Sequence, residues 1–120
     1  MLLAVLPMQA AQAQMPRPFP ATALRGTLQI TQPPEALVNG QPARLAPGAR
    51  IRDEQNLVQL SGRFVGQTLV VHYTVENGTG LLKDLWILRP DELAKKPWPA
   101  TPAEAAAWRF DAPSQTWTKP

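Results

Sequence analysis

The 120-residue chain contains no cysteine, one histidine (His72) and two serines (Ser61 and Ser114). These shortages remove much chemistry. Without cysteine there is no disulfide and no thiolate, and zinc or copper sites need several Cys or His ligands. A nucleophile–His–carboxylate triad needs a serine beside the histidine, and neither serine lies in a Gly-x-Ser-x-Gly elbow. The seven glycines occupy turns, and no phosphate-cradling loop is present. Charged residues are only 18%, and the formal net charge is +3. Its positives are scattered among Asp and Glu, unlike the clustered basic face of a nucleic-acid binder. No nucleic-acid partner is therefore expected. No apolar run approaches the roughly 20 residues of a membrane helix, so no membrane span is expected either.

Proline is abundant, with 14 residues, but none falls between Gly48 and Arg89. Because proline interrupts ladders and helices, the pattern predicts a regular centre between irregular ends.

The first residues are apolar from Leu2 to Met8 and then small. Ala11-Gln12-Ala13 fits signal-peptidase specificity. Residues 1–13 thus read as a signal peptide cleaved between Ala13 and Gln14, which predicts a periplasmic protein of 107 residues. The run lacks the usual basic start, which predicts a true start upstream of Met1. Residues 14–24, with Pro16, Pro18 and Pro20, read as a flexible proline-rich leader.

Residues 25–90 read as the folded domain. Thr27–Thr31 alternates polar and apolar residues, as does Thr68–Val75, with Leu69, Val71, Tyr73 and Val75 on one face and His72 on the other. Asn39-Gly40 between apolar runs predicts a hairpin, which Pro42 places at an edge. Ala46-Pro47-Gly48-Ala49 predicts a type II turn. Leu81–Arg89, apolar on both faces, predicts a central strand. The expected fold is mostly β: six or seven short strands in a small antiparallel barrel, OB-like or SH3-like, with a short C-terminal helix. A small β-sandwich is the alternative.

Residues 91–120 read as a Pro/Trp-rich tail packed on the domain. Thr101-Pro102-Ala103-Glu104 is a capping box that opens a helix ending near Asp111–Pro113. Trp98, Trp108, Phe110 and Trp117 are spaced as anchors of such a tail.

Few side chains suggest a site. Arg50 and Arg52 sit two apart on one strand and so share a face, where they form a candidate anion-binding patch. His72 and Trp98 are further binding candidates, with His72 otherwise a surface or cross-strand residue. Asp53-Glu54 and Asp91-Glu92 lack the ligand spacing of a calcium loop and read as solvated turns or a helix N-terminus, so neither a metal nor a cofactor is expected. The leading expectation is a non-enzymatic periplasmic binding or accessory module for a protein or envelope component. The alternative is a small hydrolase or ligand-processing enzyme using His72. The run Asn39–Arg52, with Leu85-Trp-Ile-Leu88, resembles small uncharacterised exported proteins of Gram-negative bacteria, a resemblance that implies a periplasmic address and imports no functional residues.

Overall fold

The computed structural model describes residues 15–120. The expected signal peptide and its expected cleavage point lie outside the described residues. The described chain is mostly β. Its strands are β1 (Leu24–Ile30), β2 (Glu35–Val38), β3 (Gln41–Arg52), β4 (Val58–Gln59), β5 (Thr68–Val75), β6 (Leu82–Ile87), β7 (Arg109–Asp111) and β8 (Thr116–Thr118), with helices α1 (Pro90–Leu93) and α2 (Pro102–Ala107).

Local chemistry accounts for most of these boundaries. Asn39 (φ 51°) and Gly40 (φ 78°) are both left-handed, as the tight β2–β3 turn requires. Gly48 (φ 78°) takes the positive φ expected of the Ala46–Ala49 turn. The turn does not end the strand. β3 continues through it as one bent element, with its register against β6 shifting between Leu45 and Arg50. Thr101 caps α2 by accepting from the Glu104 N–H at 3.2 Å, and Pro102 occupies the first turn.

The strands pair in the order β2-β1-β5-β6-β3-β4, and a further β2–β3 pairing closes β1, β2, β3, β6 and β5 into a ring. One expectation is corrected here: the sheet is not wholly antiparallel, because β3 and β6 run parallel. The reason is parity. Strands in a ring can alternate in direction throughout only if their number is even, so a ring of five must contain a parallel pair.

Inward residues such as Leu28, Ile51, Val71 and Leu85, at 0–2% exposure, fill the ring. A second apolar cluster lies outside it, where Phe19, Ala23, Leu88, Trp98 and Trp117 are buried together. Two more expectations change with this cluster. Residues 15–23 are not a free leader: Arg17 and Phe19 are each 5% exposed and packed on the domain. The helix of the tail stops at Ala107, and Arg109–Asp111 pairs with Thr116–Thr118 as a two-stranded hairpin. Among the described residues no helix is long and apolar enough to cross a membrane.

Candidate functional site

Strand register builds a row across the outside of the ring. Arg25 on β1 lies opposite His72 on β5, His72 opposite Trp86 on β6, and Trp86 opposite Arg52 on β3. The neighbouring row, Leu24, Tyr73, Leu85 and Ile51, points inward to the core, so the alternation of each strand turns the first row outward.

One half of the row is roofed. Trp98 stacks on the His72 ring at 4.0 Å between centroids, and Phe19 meets it edge-on at 4.4 Å. His72 is therefore fully buried, so of its expected places, at the surface or across from a neighbouring strand, the surface one is corrected; Phe19 and Trp98 cover the outward face of β5 at this residue. Arg25 Nε donates to His72 Nε2 at 3.2 Å, which leaves the neutral ring's proton on Nδ1. That Nδ1 has no hydrogen-bond partner among the described residues. Burial first, then the charges of Arg25 and Arg17, push the His72 pKa down to about 2. Such an imidazole is a weak base for catalysis near neutral pH. No serine hydroxyl bonds it among the described residues: Ser114 is tied to Asp111 and Thr116, and Ser61 lies in a 3-10 turn at 61–64.

A buried polar network locks the roof. Arg17 Nε and Nη2 donate to the two Glu92 oxygens at 2.8 and 2.5 Å, with further bonds to the Ile87 and Asp53 carbonyls. Glu92 also accepts the Arg89 N–H at 2.9 Å, capping α1. Sequence reasoning missed this network, because its partners are 75 residues apart. The acidic pairs are structural. Asp53 accepts from the Gln55 and Leu57 N–H groups at 2.9 Å each and from Gln59; the Leu57 bond is the main cause holding its carboxyl below the usual range. Asp91 is held below its usual range chiefly by its hydrogen bond from Arg89.

The other half of the row is open. Trp86 and Arg52 are half-buried, with the Arg52 guanidinium 5.5 Å from the Trp86 ring centroid and bonded to Asp84 at 3.1 Å. Arg50, exposed, lies opposite Asp84, and Lys83 is exposed beside it. Among the described residues Arg50 and Lys83 form no ion pair. With Glu76 these residues line an open groove of about 520 Å³.

The four candidates thus fall into two places. Arg50 and Arg52 share the groove, but Arg52 is partly neutralised by Asp84. His72 and Trp98 come together in the buried roof, on the far side of Trp86. Among the described residues no cluster of three His, Cys, Asp or Glu side chains is placed to hold a metal ion. Comparison with protein-family models, with curated proteins and with solved structures finds no match.

Proposed function

We propose that the chain is a non-enzymatic binding module of the bacterial periplasm, built on an OB-like barrel, and that its groove captures an anionic group of a protein or envelope component. The five-strand ring with one parallel pair supports the OB-like reading, as that fold is a five-stranded, partly open Greek-key barrel whose faces bind ligands. One observation carries the binding site: Arg50 and Lys83 stand exposed, without an ion pair among the described residues, beside a half-exposed Trp86. Cations beside an aromatic surface suit carboxylate or phosphate recognition. The His72 hydrolase reading draws no support from a roofed imidazole that stays neutral.

The test is crosslinking in the native envelope, with the parent compared to Arg50→Glu/Lys83→Glu. Both residues are exposed and outside the core, so the variant should fold normally while its crosslinked yield drops about tenfold. Equal yields would remove the groove from the reading. Arg52→Glu is a poorer choice, because it would also break the Arg52–Asp84 ion pair.

A further inference from the structure

The groove does not end at Lys83. Pro20, Lys83 and Asp84 also line a second, half-open trough of about 740 Å³, bounded by Leu24, Tyr73 and Val75 and by Pro102, Ala105 and Ala106 at α2. Its volume lies within the range of ligand sites, roughly 300–1,000 Å³. Its lining is mostly apolar, and Tyr73 brings an unused donor. That hydroxyl has no hydrogen bond among the described residues, and burial pushes its pKa up, so it stays protonated. Pairing of β1 with β5 stops at Leu24 opposite Tyr73, so among the described residues the β1-side edge of β5 has no strand partner at buried Thr74 and exposed Val75.

Resting on the binding reading above, we propose that the occupant is an extended polypeptide segment of a partner protein. An acidic side chain of that segment meets Arg50 and Lys83, and alternating aliphatic side chains follow it along the trough beside Thr74 and Val75. Charge complementarity sets the acidic end, since the only unpaired cations of the groove among its described residues lie there. The free edge favours peptide over an acyl chain: a strand gains main-chain hydrogen bonds, whereas an alkyl chain in a half-open trough keeps much of its surface in water.

The probe is a displayed random dodecapeptide library panned on the protein, with laurate as the acyl competitor. Selected peptides should carry Asp or Glu ahead of alternating aliphatic residues and should shift the backbone amide signals of Thr74 and Val75. Their affinity should fall at least about tenfold both in Arg50→Glu/Lys83→Glu and in Ala106→Glu, which puts a charge on the exposed trough wall without touching the core. Peptides that lose affinity only in Arg50→Glu/Lys83→Glu would overturn the trough and leave the anionic groove standing. Peptides indifferent to that variant would overturn both. An unenriched library, or laurate binding abolished by Ala106→Glu in place of peptide binding, would also overturn the polypeptide assignment.

Discussion

Replacing Arg17 by Met tests whether the segment before β1 is part of the fold. The Arg17 side chain is 5% exposed and its partner Glu92 6%. The substitution keeps the apolar stem but removes both bonds to Glu92 and those to the Ile87 and Asp53 carbonyls. Breaking a buried ion pair on one side costs about 3–5 kcal/mol. Glu92 would retain Arg89, whose Nη2 lies 3.4 Å away, which puts the expected loss at the low end, about 3 kcal/mol. For a domain of this size that lowers Tm by about 12–24 °C. Adding Glu92→Leu removes the stranded carboxylate, so the double variant should be less destabilised than the two single losses added together, with loss of the α1 cap as its residual cost of about 1 kcal/mol. Urea unfolding followed by tryptophan fluorescence reads all four proteins, since Trp98 and Trp117 sit in the affected cluster. An Arg17→Met variant within about 0.5 kcal/mol of the parent would refute a docked segment. Additive losses would refute the pairing itself.

Three further outcomes follow from the roof. The folded state keeps His72 neutral down to about pH 2, while the unfolded state protonates it below its ordinary value near 6.5, so this site's contribution to stability is lost as pH falls through that value. Between pH 7.5 and 5 the His72-dependent loss should be about 2 kcal/mol, and it should vanish in His72→Phe; a slope unchanged in that variant would exclude a buried neutral ring. Trp98→Ala removes the stack on His72, the edge contact with Phe19 and the Nε1 bond to the Ala23 carbonyl at 3.0 Å, and should cost about 3–5 kcal/mol in chemical denaturation. Truncation after Arg89 deletes Glu92, Trp98 and Trp117 together; the remaining chain should lose cooperative unfolding in calorimetry, and a cooperative product would mean that the tail is dispensable to the core.

The features legible in the sequence are those set by a few neighbouring residues. Asn39-Gly40 needs only local sterics to make its turn. Thr101 needs only Glu104 to cap α2. The alternation of Thr68–Val75 separated inward Val71 and Tyr73 from outward His72. The hairpin at 109–118 escaped because its strands are three residues each, too short for a periodic signal. Arg50 and Arg52 lie on one face as read from the strand, yet the ion pair that Arg52 makes and Arg50 lacks among the described residues depends on Asp84, which lies on another strand.

By itself, the sequence determined a mostly β domain, its turn positions and which side of each strand is apolar, since these follow from backbone sterics and a period of two. Only the tertiary structure decided that the ring closes with a parallel pair, that Phe19 before β1 and Trp98 after β6 roof His72, and that Arg50 and Lys83 are the groove's cations without an ion pair among the described residues. Each of those outcomes rests on contacts between distant residues, such as Arg17 with Glu92, whose strength comes from shared burial rather than from any neighbour in the chain.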